Sequence, residues 1–464
     1  CWGYERNCTA GQRHGLPTSG CLNDRFLQEF WNSVDFGYVQ ERREEFDKLL
    51  LCRPGAQQQS MLQCSKYTRY CKAQNLFIDF TGLRDPHNRD KFRENVFKQG
   101  QIGGDCVLDR QLLQAQGDHK SPLQSWYAEL ENFSSMKFAR DKCDVTIEHP
   151  VIFMKMDWGG NMFHHFCDFF NLYVTLHVNG SYFDRNSQIV MWDTATTHYY
   201  DPFSVSWEAF TTRPVVPLLD WADKKVCLDE VHFSLLPRMR SGLYYNTYVP
   251  QKCVGSNLFR SFSSFFLQRM QIRQLGPALK EPETPKIRVT LLQRGTPENE
   301  KIFRQIKNQK DLEKVFDDFP DLELKVVEYD WRKMSFKEQL SVTHNSDIFI
   351  GMHGAGLTHF LFLPPWAVAF ELYNCDDKDC YYDLARLRGV KYVTWSDGGN
   401  PVNTPKPSEQ GKHHKYGQNP KFWNWRFEPQ RFKEILSEAR EYVLNHATYK
   451  SLISKKLSKQ KNKA

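Results

Sequence analysis

The sequence predicts an α/β protein in two halves, each a mostly parallel β-sheet covered by helices on both faces. Three observations point there. Short apolar runs alternate with helix-length segments, first between residues 151 and 236 and again between 286 and 373. A polar, proline-bearing stretch, QLGPALKEPETPK at 274–286, separates the two series as a linker would. At 464 residues the chain also exceeds one ordinary core, since domains hold roughly 100–200 residues.

Each element follows from its residues. Residues 1–75 are cysteine-rich and irregular, helical only around 24–51, and read as a disulfide-stapled cap. An N-terminal domain over 76–273 then holds VIFMKM (151–156) as a buried strand, GGNMFHHFCDFFNLYVTLHV (159–178) as a helix, QIVMWD (188–193) as a strand, WEAF as a short helix and VCLDEVHFSLL (226–236) as a strand pair. After the linker, a C-terminal domain over 287–448 opens on the strand KIRVTLL (286–292). A helix within 299–319, the strand ELKVVEYD (323–330), the helix SFKEQLSVTHN and the strands DIFIG (347–351) and AVAFELY (367–373) follow. Six lysines among Ser, Gln and Asn make 449–464 a basic, solvated, disordered tail.

Composition excludes several classes. The formal charge of +7 lies partly in that tail, so the body is nearly neutral and electrostatics demand no nucleic acid. No apolar stretch reaches the ~18 residues of a membrane helix, and no membrane insertion is expected. Thirteen cysteines, ten of them before Ser241, form no CxxC metal pattern and indicate a secretory protein. The sequons at Asn7, Asn132 and Asn179 agree, and a chain starting at Cys1 rather than Met suggests a removed signal peptide. Cys375 with Cys380 and Cys227 with Cys253 flank short segments suited to bridging, and Cys167 is the expected odd cysteine.

Four stretches carry candidate chemistry. In DIFIGMHGAGLTHF, Gly351, Gly354 and Gly356 with Ala355 allow a sharp turn and close approach to a ligand, and a helix starting near Leu357 points its amides there. His353 adds a donor, Glu371 at the end of the next strand reaches the same rim to accept sugar hydroxyls, and Arg294 after KIRVTLL supplies a two-pronged phosphate ligand. An ordinary strand-to-helix turn and a surface arginine are the rival readings. On the helix from 161, His164 and Asp168 lie one turn apart, as base and orienting partner, as two ligands for an anion-bearing substrate, or as satisfied core residues among phenylalanines, and Asn161 stands at its start as a cap. No third ligand is placed for a metal. Arg238 and Arg240 either line an acceptor or phosphate surface or pair with acids outside.

CWGYERNC, GGNMFHHFCDFFNLYVTLHVN (159–179), VHFSLLPRMRSGLYYNT (231–247), KIRVTLLQR (286–294), THNSDIFIGMHGAGLTHFLFLPPWA (343–367) and FELYNCDDKDCYYDLARLRGVKYVTW (370–395) together closely resemble the EGF-domain-specific O-linked N-acetylglucosamine transferases, of glycosyltransferase family 61 type. The resemblance implies a GT-B fold, two Rossmann-like domains facing a cleft. It implies inverting transfer of GlcNAc from UDP-GlcNAc to Ser or Thr of folded EGF-like repeats, such as those of Notch-type receptors, in the endoplasmic reticulum lumen. The turn from Met352 to Leu357 would then cradle the UDP diphosphate with Arg294 and His353, Asn161 and Glu371 would bind the donor, and His164 and Asp168 would serve the acceptor proton. The chain departs from the pattern twice. AFTTRPVV (209–216) lacks the Asp-x-Asp triplet of some relatives, so no cofactor is expected and Mn²⁺ is not required. It ends KNKA, with no KDEL-like retention signal. A related transferase with another acceptor or donor, or an EGF-repeat-binding module without transfer, are the alternatives.

Overall fold

A computed structural model describes residues 21, 24–56, 59–118, 120–180, 183–196, 201–236, 252–280, 284–295, 303–373, 379–395, 406–409 and 420–461. These divide into two compact units, one within 22–251 and the other made of Cys21 with 252–464.

In the first unit, helices α1 (Asp24–Val34) and α2 (Phe36–Lys48) precede strands β1 (Leu50–Arg53), β2 (Met61–Cys64) and β3 (Cys71–Asp79). Then come β4 (Val145–Ile147), β5 (Val151–Met154), the long helix α3 (Met162–Val178), β6 (Gln188–Met191), β7 (Val216–Pro217) and β8 (Lys225–Phe233). The sheet runs β7-β6-β5-β8-β3-β2-β1. From β7 to β8 the neighbours are parallel. From β8 through β3 and β2 to β1 they are antiparallel. The sheet is therefore mixed rather than mostly parallel, because β1 to β3 form a meander closed by short turns and need no helical crossover. Residues 50–75, expected in a cap, are strands of this sheet, and the pair expected within 226–236 is one long strand. The buried aromatic rings of Phe153, Trp192, Trp126 and Phe233 meet edge-on or tilted over this sheet.

The second unit contains α4 (Asn257–Arg269), β9 (Ala278–Lys280), β10 (Thr284–Leu292), α5 (Gln309–Lys314), β11 (Leu322–Val327), α6 (Phe336–His344), β12 (Ile348–Met352), β13 (Val368–Leu372), α7 (Cys380–Arg388), β14 (Lys391–Thr394), α8 (Pro429–Asn445) and α9 (Ala447–Lys461). Strands β12 and β13 are buried at every position, which is why they read as continuous apolar runs. The start of α6 is set by a capping box in which Ser335 and Glu338 satisfy each other's backbone amides. All pairs in the order β11-β10-β12-β13-β14 are parallel. Numbered along the chain this is 2-1-3-4-5, a doubly wound order whose switch point lies between β10 and β12.

The units part before the linker expected at 274–286. Gly255 and Ser256 donate their amides to Arg386 and Leu387, and Phe266 of α4 packs on Phe362, so this helix belongs to the second unit. Residues 278–280 form an edge strand there, antiparallel to β10. The tail expected to be disordered is largely α9. Tyr449 is fully buried against Trp366 and donates its hydroxyl to the Lys286 carbonyl at 3.2 Å, with Leu452 and Ile453 one turn on against the same core.

Disulfides join Cys21 to Cys253, Cys52 to Cys106, Cys64 to Cys71 and Cys143 to Cys227. Cys227 and Cys253 thus have separate partners, β8 being tied to the segment before β4 instead. Cys375 lies outside the described residues, and Cys167 is buried in α3. Of the sequons, Asn132 and Asn179 use their side-chain amides inside the fold, toward the Phe97 carbonyl and the His232 ring. Asn7, Arg238 and Arg240 lie outside the described residues.

Candidate active site

Parallel pairing aligns Leu292, Gly351, Glu371 and Thr394 across β10, β12, β13 and β14, so the loops leaving these strands open on one edge of the second unit. That edge, at the switch point, is where doubly wound sheets hold ligands. Arg294 leaves β10 there and Gly354 leaves β12. Gly354 has φ +153°, and a Cβ built on it would stand 2.7 Å from Arg294 Nη1 and 2.8 Å from Arg304 Nη1. Only a residue without a side chain lets both guanidinium tips close over this backbone. Arg304 Nη1 also donates to the His353 carbonyl at 3.3 Å. Burial, and then the like charge of Arg304, push Arg294 down to about 10. Among the described residues no carboxylate forms an ion pair with Arg294. Two guanidinium groups converging on a glycine turn are of the chemistry that binds a phosphate or other compact anion.

Beneath the turn, His353 and Glu371 are each 1% exposed. His353 Nδ1 lies 2.6 Å from Glu371 Oε1, and the Tyr392 hydroxyl donates to Oε2. Because a carboxylate only accepts, Nδ1 carries the proton. Glu371 therefore does not reach the rim to take sugar hydroxyls. It turns inward, both oxygens engaged, and fixes the ring beneath the turn. The helix after the turn is a 3-10 helix over Ala355–Phe362, and the Leu357 amide is used on the Gly354 carbonyl at 2.8 Å rather than pointing at a ligand. Leu357 is fully buried, and Gly356 lets Leu292 approach, since a Cβ there would meet Leu292 Cδ2 at 2.8 Å. Ala355 opens that helix.

In the first unit, the β5-α3-β6 crossover places a second group of polar side chains at the carboxyl end of β5. Asn161 caps α3, its side chain accepting from the Phe163 amide at 3.0 Å. His164 Nδ1 lies 2.6 Å from Asp157 Oδ2, both side chains being partly exposed. Asp168 is 1% exposed and accepts the Asp157 backbone amide at 3.0 Å. The histidine's described carboxylate partner is thus Asp157, and Asp168 fastens the segment that carries it. The adjacent His165 is fully buried 4.3 Å from the Phe169 ring, and burial pushes it down to about 3. Of the two neighbouring histidines, His165 is a core residue and His164 reaches solvent. An imidazole held by a carboxylate through Nδ1 is the arrangement found in general bases.

Arg304, Tyr392 and Asp157 were not singled out by the sequence. Arg304 lay within the stretch expected to hold a helix, and that helix, Gln309–Lys314, starts beyond it. Asp157 follows the buried strand VIFMKM directly, and an acid at a strand's carboxyl end was the available signal.

The family model for glycosyltransferase 61 matches residues 162–370, from the first turn of α3 into β13. The chain is 47% identical over 460 residues to the EGF domain-specific O-linked N-acetylglucosamine transferase of Xenopus laevis, covering 97% of this chain and 84% of that protein. It is 46% identical over 459 residues to the protein of that name from Gallus gallus, covering 97% and 82%. For the one from Drosophila melanogaster the identity is 40% over 473 residues, covering 99% and 87%. Similarity of this extent, over 97–99% of the chain, spans both units, and the chain belongs to the family of EGF domain-specific O-linked N-acetylglucosamine transferases.

Proposed function

We propose that this protein transfers N-acetylglucosamine from UDP-GlcNAc, with inversion, to Ser or Thr hydroxyls of folded EGF-like repeats, Notch-type receptors among their carriers. The observation that carries the reading is the convergence of Arg294 and Arg304 over Gly354 at the switch point of a 2-1-3-4-5 parallel sheet. In the mechanism that follows, the acceptor Oγ–H gives its proton to His164 Nε2 while the oxygen attacks the sugar C1 on the face opposite UDP. The C1–O bond to the diphosphate breaks, its electron pair leaves with UDP, and the two guanidinium groups meet the developing charge. Asp157 holds the imidazole in the accepting tautomer and stabilises the imidazolium. Asp168 acts on Asp157 and not on substrate.

The GT-B arrangement, with donor groups on one unit and acceptor groups on the other, belongs to this proposal, as does action in the endoplasmic reticulum lumen. Four disulfides support the second point, because thiols stay reduced in the cytosol. The arginine pair would neutralise the diphosphate without Mn²⁺. The test is the intact mass of a refolded EGF repeat after incubation with the protein and UDP-GlcNAc, in EDTA and in Mn²⁺. Gain of one N-acetylhexosamine in both is expected. Gain only with Mn²⁺ would refute the metal-free part, and no gain in either would refute the transfer.

A further inference from the structure

Trp126, Trp192, Trp207 and Trp221 of the first unit are buried, but Trp158 is 58% exposed. Leaving an indole in water forgoes one of the largest hydrophobic gains a side chain offers. Its backbone is nonetheless well held. Asp157 just before it is fastened through its amide to Asp168 and through its carbonyl to Lys91 Nζ at 3.2 Å, and the Trp158 carbonyl accepts from the Asn161 amide at 3.2 Å. The ring centroid lies 6.0 Å from that of His164, tilted by 43°. A solvated aromatic ring on a fastened loop, beside an oriented histidine, is a preorganised contact surface.

From this we infer that Trp158 is a specificity-determining residue whose indole packs against an apolar or aromatic side chain of the acceptor repeat, next to the hydroxyl that His164 deprotonates. The inference rests on the proposed function, since it takes the acceptor to be the species that reaches His164. The acceptor oxygen must come within hydrogen-bond reach of the imidazole. An extended chain advances roughly 3.3–3.6 Å per residue, so a ring 6.0 Å away lies at the distance of the acceptor's immediate neighbours. The donor's charged part has its own ligands in Arg294 and Arg304.

The test compares Trp158→Ala and Trp158→Phe with the parent in transfer to one refolded EGF repeat, varying repeat and UDP-GlcNAc separately. Alanine is expected to raise KM for the repeat about 10- to 30-fold, the range of a buried aromatic anchor, and Phe to restore it to within about threefold. KM for UDP-GlcNAc is expected to stay within twofold. Binding of the repeat is measured as well by calorimetry, with UDP present, in a His164→Gln background, where turnover plays no part. A Trp158-dependent affinity there supports the contact even if the parent protein transfers nothing, an outcome that refutes only the function proposed above. Unchanged repeat affinity and KM in the alanine variant would overturn the inference, and so would a rise confined to UDP-GlcNAc, which would place the indole on the donor sugar.

Discussion

Replacing Gly354 by alanine tests the anion site at its most constrained point. The new methyl would stand 2.7 and 2.8 Å from the Nη1 atoms of Arg294 and Arg304, too close for either to remain. What it strikes are the ends of two long side chains, which can swing away, so the collision need not unfold the protein. The backbone at φ +153° costs an alanine about 1–3 kcal/mol, seen as a lowered Tm of the second unit. The larger effect is expected in binding. A hydrogen bond to a charged group contributes about 1.5–3 kcal/mol, so loss of one guanidinium contact to the diphosphate weakens UDP about 10- to 150-fold. Isothermal titration with UDP, at a temperature where thermal melting shows both proteins folded, measures it. An alanine variant that binds UDP as tightly as the parent would show that the diphosphate does not lie over this turn, and would remove the main support for the donor site.

Three further perturbations bear on other parts of the fold. Asp157→Asn lets an amide donate to His164 Nδ1 and moves the ring proton to Nε2; kcat is expected to fall by about 10² or more with UDP affinity kept, and kcat within threefold of the parent would refute the dyad. Burial pushes His165 and His177 in the first unit down to about 3, and His344 and His359 in the second to about 4 and 3, against 6.5 in the unfolded chain. The unfolded state then binds more protons below about pH 6.5, so the stability these groups preserve is present above that pH and lost as it falls. Each costs about 1.4 kcal/mol per pH unit, or about 4 kcal/mol per unit of structure by pH 5, and a Tm unchanged between pH 7.5 and 5 would refute this. Tyr449→Ala empties a buried ring site and orphans the Lys286 carbonyl, so the second unit should lose about 3–5 kcal/mol in denaturant melts; no loss would mean the tail is solvated after all.

What the sequence made legible were elements whose own residues decide them. VIFM, QIVM, IFIGM and VAFEL are buried throughout, and a run that is apolar but for one residue at most, Gln188 in the second and Glu371 in the fourth, reads as a central strand without reference to its neighbours. The tail was misread because its lysines dominate the composition, while Tyr449, Leu452 and Ile453 fall at the spacing of one helix face. At the site, the glycine turn and Arg294 were legible because strand ends of a parallel sheet deliver them. Arg304 was not. It is brought there by the bridge between Ile306 and Trp425 and by the Gln305 amide bonded to Asn424, contacts 119 residues apart in the chain.

The two carboxylates whose partners differ from the sequence expectation do so for different reasons. Glu371 lies on a strand buried on both faces, where alternation cannot tell rim from interior. Its direction is decided by His353 and by Tyr392 on a strand absent from the sequence reading. For His164, helical spacing selects Asp168, one turn ahead. Yet Cα–Cβ bonds in a helix tilt toward its N-terminus, so a side chain in the first turn leans back over the segment before the cap. That segment holds Asp157. A histidine at the start of a crossover helix thus takes its orienting acid from the segment between the strand and the helix, while the acid one turn on, buried in the core, fastens the backbone amide of that same segment. Chemistry and support are thereby divided between two aspartates. If that division holds, Asp168→Asn, which keeps a carbonyl to accept the Asp157 amide, will reduce kcat less than Asp157→Asn, and the reverse order would return Asp168 to the reaction itself.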